Sequence, residues 1–326
     1  MSKKSKRKAD LKSSILILLL IAILLIASTY AWFTANTTVT ISTLDVHVEA
    51  ANGLQISVDG TNWKTVLTNN DIKGANATYA ASKNQIPANM EPVSSAGTVA
   101  DGVMGMYYGT VSSDSTGNYQ LKAEKQEDKE ENGETATGRY IVFDAFFRVD
   151  KESPLSLTKD SSVVAREGTT SKGLENAARV AFCPLGNTGV GSSLSTIQAL
   201  TGGTTSYIWE PNIDVHTAAA VNHAKDSYNI TTQETDAAQI PYMGINAAIT
   251  DAVALNSTDA TYFKSVSPHI STKASYSSDN TLFNLSAGIT KVRIYMWVEG
   301  QDVDCENNAS GVDISYTLQF SIPDNA

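Results

Sequence analysis

Histidine and cysteine, two side chains that often carry out catalysis, are few and widely spaced in this chain of 326 residues. The segment GVGSS at 189–193 differs from the GxSxG turn that exposes a serine nucleophile in hydrolases. The histidines show no HExxH spacing, which would put two imidazoles on one helix face to bind zinc. They are His47, His216, His223 and His269. We therefore expect a protein that is not an enzyme and that carries no cofactor.

One acidic segment has a spacing that could bind a cation. In EGQDVDCEN, Asp302, Asp304 and Glu306 place carboxylates at alternate positions, as calcium-binding loops do. An EF-hand loop counted from Asp302 requires glycine at its sixth position and a bidentate acid at its twelfth, where this chain has Asn307 and Asp313. Because the match is partial, a solvated loop is the favoured interpretation, and a weak calcium site is the alternative.

An exposed aromatic ring could bind a ligand by stacking. Trp209, in the segment SYIWEPN, is the best candidate for a ring at the surface that packs against a glycan. The favoured alternative is that Trp209 is a packing anchor under a long loop.

The first 31 residues are typical of an export signal. A head with six lysine and arginine residues precedes the run 15–27, which contains no polar side chain. This run suits the core of a signal peptide, about 7 to 15 residues, and is shorter than a spanning helix of about 20. Thr29 and Ala31 are small enough for signal peptidase to cleave before Trp32. A retained N-terminal membrane helix is the alternative, and in either case the membrane is a partner.

The charge and cysteine content fit a protein that works outside the cytoplasm. The formal net charge is −10, and nucleic acid is excluded as a partner because phosphate contacts need a basic face. Cys183 and Cys305 are the only cysteines. In an exported protein they could form a disulfide, and the alternative is two separate small buried side chains.

Alternating runs rich in Val, Ile, Thr, Tyr and Phe predict an all-β fold. We expect an antiparallel β-sandwich with long loop insertions, preceded by an N-terminal hydrophobic helix. The chain would comprise the leader 1–31 and one extracellular domain, 32–326, with a loop-rich insertion at about 201–280. The clearest strand signals lie at 139–150, 177–182, 289–300 and 312–322.

Three local features complete the sequence-based prediction of the fold. Asp59-Gly60, in GLQISVDGTNW, predicts a tight hairpin turn with Trp63 returning on the partner strand. Short helices are expected at 192–200 and between 236 and 255. The charged run 122–138 has mixed signs and two glycines, which favours a solvated loop.

The junction Thr29-Tyr30-Ala31-Trp32-Phe33-Thr34, followed by TTVTISTLDVHVEA, resembles the signal peptides processed by SipW-type signal peptidases of Gram-positive bacteria. Those peptides introduce the TasA/camelysin group of surface and biofilm-fibre proteins. The segments GLQISVDGTNW, AARVAF, IWEPN and MWVEGQDVDC also resemble parts of Firmicutes surface proteins of this type. The resemblance implies a jelly-roll-like sandwich and assembly by addition of an N-terminal donor strand.

The leading hypothesis is therefore an exported cell-surface or biofilm-matrix protein with a structural or adhesive role. Its mature N-terminal segment, WFTANTTVTIS, would dock into the sheet of a neighbouring copy or of another surface protein, with Val39 and Ile41 on one face. The second hypothesis is an extracellular glycan-binding or ligand-binding module that uses Trp209 and the 201–280 loops. A secreted hydrolase ranks lowest.

Overall fold

The computed structural model describes residues 45–323, except for residue 52 and the segments 130–137, 229–242, 255–256, 271–279 and 306–310. Strands, numbered in chain order within these residues, are β1 (Asp45–Ala50), β2 (Gln55–Ser57), β3 (Val66–Leu67), β4 (Asn84–Gln85), β5 (Val99–Ala100), β6 (Val103–Met104), β7 (Met106–Ser113), β8 (Tyr119–Gln126), β9 (Ile141–Val149), β10 (Ser153–Leu157), β11 (Ser162–Ala165), β12 (Ala178–Thr188), β13 (Tyr207–Trp209), β14 (Met243–Ile245), β15 (Ile249–Ala254), β16 (Phe263–Ser265), β17 (Thr281–Leu285), β18 (Gly288–Val298) and β19 (Ile314–Ser321). The helices are α1 (Asn69–Lys73), α2 (Leu194–Gln198) and α3 (Ala218–Tyr228), with 3-10 turns at Ala75–Ala77 and Leu174–Ala177.

Two six-stranded sheets contain most of the long strands. The strand order of the first sheet is β17-β10-β19-β1-β3, with β11 also paired to β19. The order of the second sheet is β13-β12-β18-β9-β2, with β4 also paired to β9. Smaller sheets are formed by β15-β8-β7, by β14-β16 and by β5-β6. The described chain is all-β, as the sequence predicts.

The two large sheets share one hydrophobic core. Phe147 of β9 and Phe182 of β12 both meet Phe320 of β19 edge-on, with ring centroids 5.1 and 5.6 Å apart. In β19, buried residues alternate with half-buried ones. This is the period-two pattern that the sequence predicts for 312–322, and it places one face of β19 against the second sheet.

One strand pair departs from the antiparallel arrangement that the sequence predicts. Strands β1 and β19 run parallel, in a register from Asp45 opposite Ser315 to Ala50 opposite Phe320. The other pairs of named strands in the described residues are antiparallel. No hairpin joins β1 to β19, which lie at opposite ends of the described chain, so their relative direction is not fixed by a turn.

The second sheet is buried on both faces. All eleven residues of β18 are buried, and so are eight of the nine residues of β9. One face packs on the first sheet, and the opposite face is covered by a second cluster, in which Met104, Leu185 and Ile208 pack on Tyr295 and Trp297. Any ionisable residue in these central strands is therefore removed from water and needs a partner.

Two local predictions are wrong and one is confirmed. The run 122–138, predicted as a solvated loop, begins inside β8. Buried Ala123 lies between exposed Lys122 and Glu124, and it pairs with Ile249 of β15 and with Gly109 of β7. In the described part of 236–255 the chain forms β14 and β15, since cross-strand pairing outweighs a weak helical pattern. The helix predicted at 192–200 is α2, and the Ser193 side chain caps it by accepting from the Thr196 N–H.

The region 201–280, predicted as a loop-rich insertion, contributes to the second sheet at its start. Strand β13 is an edge strand of that sheet and pairs with β12, with Trp209 opposite Val180. The described remainder contains α3 and the short strands β14, β15 and β16. None of the helices in the described residues has the length and apolar character needed to cross a membrane.

The turn after β2 is wider than the predicted two-residue hairpin. Ile56 pairs with Lys64 through two backbone hydrogen bonds of 2.9 and 2.8 Å, so this pair, well beyond Asp59-Gly60, closes the turn. Gly60 has a φ of 77°, as expected for the Asp-Gly dipeptide.

The Asp59 carboxylate organises this loop from a buried position. One of its oxygens accepts from Ser57 Oγ and from the N–H groups of Thr61 and Asn62 at 2.8 to 2.9 Å. The other oxygen accepts from Thr78 Oγ1 at 2.6 Å, which links the loop to the 3-10 turn at 75–77. Burial alone would raise the pKa of Asp59, but these hydrogen bonds hold it well below its usual value.

Replacing Asp59 by alanine should lower the free energy of unfolding by about 2 to 3 kcal/mol, because several donors lose one charged acceptor. Since the pKa of Asp59 is lowered in the folded state, this contribution is present above the unfolded pKa and is lost as the pH falls through the folded one. Urea unfolding at neutral pH and in acid would measure both effects.

Asp114→Ala is the matched control. Asp114 accepts from the N–H groups of Thr116 and Asn118 in a similar turn, at 2.8 and 2.9 Å, but at the exposed tip between β7 and β8. Asp114→Ala should lower the free energy of unfolding clearly less than Asp59→Ala does. Equal decreases for the two variants would contradict the role given to Asp59.

Candidate functional site: a hydroxyl-lined groove beside a buried ionic cluster

Several predicted site residues lie outside the described part of the chain. They are the cleavage-site residues Thr29, Ala31 and Trp32, the donor-strand residues Val39 and Ile41, and the acidic residue Glu306. The roles of the three cleavage-site residues and of the two donor-strand residues stay predictions.

The calcium interpretation of Asp302 and Asp304 is not supported. Asp302 contacts the Arg179 guanidinium through one oxygen and accepts from the Asp304 N–H at 2.8 Å through the other. Asp304 contacts His216 Nδ1 at 2.7 Å and accepts from the Thr217 N–H at 3.1 Å. All four carboxylate oxygens therefore already have protein partners. In the described residues, no three or more His, Cys, Asp or Glu side chains are arranged to hold a metal ion.

Trp209 is not a surface ligand contact. Its side chain is fully buried in the core shared by the two large sheets. Pairing of β13 with β12 turns the ring inward, so Trp209 is the packing anchor that the sequence analysis favours.

Cys183 and Cys305 are both buried thiols. Cys183 lies in the cluster that covers the outer face of the second sheet, whereas Cys305 lies in the core between the sheets. Of the two alternatives drawn from the sequence, the structure has two separate buried side chains and no bridge. Burial and the nearby Asp128 charge raise the pKa of the Cys183 thiol, which makes it a poor nucleophile.

A buried ionic cluster joins four segments at one end of the second sheet. Fully buried Arg179 of β12 contacts the carboxylates of Glu210, which follows β13, and of Asp302, which follows β18. His216 and Thr217, just before α3, bind Asp304. The cluster therefore fixes the ends of β12, β13 and β18 against the start of α3.

Glu299 extends this cluster and is itself completely buried. Its carboxylate accepts from the Ser95 N–H at 3.2 Å, from Trp297 Nε1 at 3.0 Å and from the Gln301 N–H at 3.0 Å. Burial raises the pKa of Glu299 to about 7, with these hydrogen bonds opposing the rise.

Two neighbours in the cluster have shifted proton affinities as well. Burial raises the pKa of Glu210, and the positive charge of Arg179 only partly offsets it. Burial lowers the pKa of His216, but the hydrogen bond and charge of Asp304 outweigh this and give a net rise. The cluster therefore holds protons more tightly than the same groups would in water.

A second ionic network lies on the outer face of the second sheet. Asp144 of β9 accepts from Arg293 Nε at 2.8 Å, and Lys291 Nζ lies 3.3 Å from its other oxygen. Lys291 also donates to the Tyr79 hydroxyl at 2.6 Å. Asp128 accepts from the Tyr140 hydroxyl at 2.8 Å and lies beside Arg293. Burial lowers the pKa of Lys291, although Asp144 opposes this.

A groove of about 680 Å³ opens next to β13, and it offers an accessible polar surface. Three segments line it: 96–99, 204–208 and 264–269. Its floor contains buried Val99, Ile208 and Val266, and its rim is rich in serine and threonine. Its volume is in the range of about 300 to 1,000 Å³ that is usual for ligand sites. The groove is open to solvent, so its lining side chains are accessible to another molecule.

No family model, curated protein or solved structure matches this chain.

Sequence reasoning missed both ionic networks and the groove. The networks did have a signal: Arg179, Asp144, Lys291 and Arg293 are charged residues inside mostly apolar strand segments. Such a charge can be buried only if a partner faces it, so opposite charges in neighbouring strands were to be expected. The groove had no comparable signal, because its three lining segments are far apart in the sequence.

Between pH 6 and pH 8 the free energy of unfolding should fall by about 1 to 2 kcal/mol. The pKa values of Glu210, Glu299 and His216 are raised in the folded state, so the folded chain keeps protons that the unfolded chain has released. Raising the pH across this window therefore favours unfolding. Urea midpoints measured at half-unit steps would give the slope.

The variant Glu210→Gln, which cannot titrate, should show a flatter pH profile. Glu127→Gln is the control, because Glu127 has a 75% exposed side chain, and it should keep the wild-type slope. A stability that rises between pH 6 and 8, or a Glu210→Gln profile as steep as that of the wild type, would refute this account.

Removing the carboxylate of Asp144 should cost about 3 to 5 kcal/mol of stability, because Asp144→Ala takes away the carboxylate that contacts buried Lys291 and leaves Arg293 with the more distant Asp128. Lys125→Ala, which breaks an exposed pair with Glu127, should cost at most about 1 kcal/mol. If Asp144→Ala is too unstable to purify, Asp144→Asn provides a milder comparison by urea unfolding. If Asp144→Ala and Asp144→Asn both lower the free energy of unfolding by no more than Lys125→Ala does, the network is not needed for stability.

Proposed function

We propose that this chain is an exported surface or matrix protein of the TasA/camelysin type, with a structural or adhesive role. The basic and apolar leader 1–31 would direct an acidic β-rich body across the membrane, and cleavage before Trp32 would release its N-terminal segment. In this proposal the two large sheets form a jelly-roll-like β-sandwich. The shared core of β9, β12 and β19 supports that interpretation.

The observation that carries this proposal is the edge of the first sheet at β17. Among the described residues, β17 pairs with β10 alone. Monomeric proteins usually protect such an edge with lysine, proline or a very short strand. The sequence of β17, TLFNL, contains neither lysine nor proline, whereas β3 at the opposite edge is only two residues long. We therefore assign β17 as the edge that would accept another strand.

The segment before β1 has the composition of a donor strand. Val39 and Ile41 alternate with threonine, so one face would be apolar and the other polar in an extended conformation. Fully extended, the residues from 34 to 44 could reach roughly 35 Å from the start of β1. Added strands gain affinity from backbone hydrogen bonds and specificity from alternate side chains, which matches this pattern.

The glycan-binding alternative loses Trp209 as its contact, because that ring is buried.

Assembly should depend on the apolar face of the donor segment. The substitution pair Val39→Asp and Ile41→Asp should abolish higher-order species in protein isolated from the cells that make it, because it places charges on the face that would be buried. Size-exclusion chromatography with light scattering, together with negative-stain imaging, would measure the assembly state.

The pair Thr38→Asp and Thr40→Asp adds the same charge to the opposite face and should leave assembly largely intact. N-terminal sequencing of the same sample would establish whether the chain begins at Trp32. A wild-type protein that is strictly monomeric, or equal effects of the two substitution pairs, would count against strand addition.

A further inference from the structure

We propose that the groove formed by 96–99, 204–208 and 264–269 binds a segment of an acidic polysaccharide. Its ligand would be an extended, hydroxyl-rich chain that carries a carboxylate or phosphate group. This site adjoins β17, because its rim residues His269 and Tyr207 contact Thr281 and Phe283, but binding there does not require assembly.

The groove is held open by buried anchors and does not need a ligand to form. Val99, Ile208 and Val266 belong to the cluster that covers the second sheet. Ser206 Oγ donates to the Gly97 carbonyl at 2.6 Å and joins two of the lining segments. Gly97 has a φ of 71°, and a Cβ at this position would lie 2.7 Å from the Ile208 side chain. The close approach at the floor therefore depends on glycine, and the shape of the groove is preorganised.

The rim presents hydroxyl groups that have no partner within the described chain. Thr98 and Ser206 are already bonded to Asn246 and Gly97. Four further hydroxyls are exposed and make no hydrogen bond among the described residues; they belong to Thr204, Thr205, Ser265 and Ser267. A hydroxyl both donates and accepts, as does each hydroxyl of a sugar, so the two surfaces are chemically matched.

Tyr207 and His269 add a fixed aromatic corner to this rim. The Tyr207 ring lies 5.1 Å from Phe283 and 5.2 Å from the His269 ring, so its orientation is set by packing. His269 Nε2 donates to the Thr281 carbonyl at 2.8 Å, which leaves Nδ1 as an acceptor. The half-buried Tyr207 can offer both a ring and a hydroxyl to the apolar and polar sides of a sugar.

The charge of the groove is opposite to that of the protein. The whole chain has a formal net charge of −10, yet none of the described residues that line the groove is an aspartate or a glutamate. Lys264 is exposed there and has no ion-pair partner among the described residues. A ligand with a negative substituent would find an unopposed ammonium group, and an acidic ligand is therefore favoured over a basic one.

The backbone beside the groove disfavours a peptide ligand. A peptide that added to the edge of β13 would need its free carbonyl and N–H groups. The Ile208 carbonyl already accepts from the N–H groups of His269 and Ile270 at 2.7 and 3.2 Å, and the Glu210 N–H donates to the Ile270 carbonyl at 2.9 Å. Because the edge is closed, recognition falls to the side chains of the rim.

Calorimetric titration of the full chain with four defined polymers would test the proposal. The probes are oligogalacturonate, its neutral methyl ester, poly(glycerol phosphate) and poly-L-glutamate. We expect oligogalacturonate or poly(glycerol phosphate) to bind with a Kd between about 10 μM and 1 mM. The one that binds more tightly identifies a carboxylate or a phosphate as the acidic group. Poly-L-glutamate, which is acidic but has no hydroxyls, should bind at least about tenfold more weakly.

Three variants make this test specific to the groove. Lys264→Gln should weaken binding of the acidic saccharide about fivefold and leave the methyl ester unchanged, as expected for one exposed charge contact. Thr205→Trp should abolish binding of every saccharide by filling the groove. Lys159→Gln removes an exposed lysine from the loop between β10 and β11 and should have no effect.

Three results would overturn the proposal. They are the absence of binding by oligogalacturonate and by poly(glycerol phosphate) up to about 5 mM, equal affinity for poly-L-glutamate, and unchanged affinity after Lys264→Gln. The donor-segment variants test assembly without changing the groove. If the groove binds no acidic ligand, the surface-protein proposal still stands. If the chain does not assemble, the groove proposal still stands.

Discussion

The constraint on which the rest of the structure depends is the burial of β18 along its whole length. A strand covered on both faces removes each of its side chains from water, and Lys291 and Arg293 are among them. A charge in such a place is tolerated only when a counter-charge and hydrogen bonds replace water. Asp144 on the neighbouring strand provides that replacement, so the pairing of β9 with β18 is specified by charge as well as by apolar packing.

The same constraint acts at the end of the second sheet where β18 finishes, and there it positions the loops that follow the strands. Arg179 is fully buried on β12 and is neutralised by Glu210 and Asp302, which follow β13 and β18. Glu210 directly follows Trp209, the aromatic anchor of β13. Ionic and apolar contacts thus hold the C-terminal end of one short edge strand. Because Ile208 of β13 forms part of the groove floor, the contacts that hold β13 in place also hold the groove in shape.

Prediction from the sequence succeeded where the pattern is local. Alternation in 312–322 and the apolar run at 139–150 are properties of neighbouring residues, and both became the strands expected of them. It was wrong for Lys122 to Gln126, because the charges there lie on the open face of a strand whose other face is buried. It was incomplete for Asp302 and Asp304, whose spacing resembles a cation loop although their partners, Arg179 and His216, lie far away in the sequence.

By itself the sequence determined the all-β class, the main central strands, the short helix α2 and the positive φ of Gly60, because backbone propensity and side-chain alternation act over a few residues. It also contains a basic head followed by an apolar run at its N-terminus, whose charge and length are likewise local properties. Only the tertiary structure decided that β1 and β19 run parallel, that Trp209 is buried, that the two cysteines lie apart and that three distant segments enclose a groove. Each of these depends on which distant residues meet, and that is fixed by the packing of two sheets and by the pairing of charges that cannot remain buried alone.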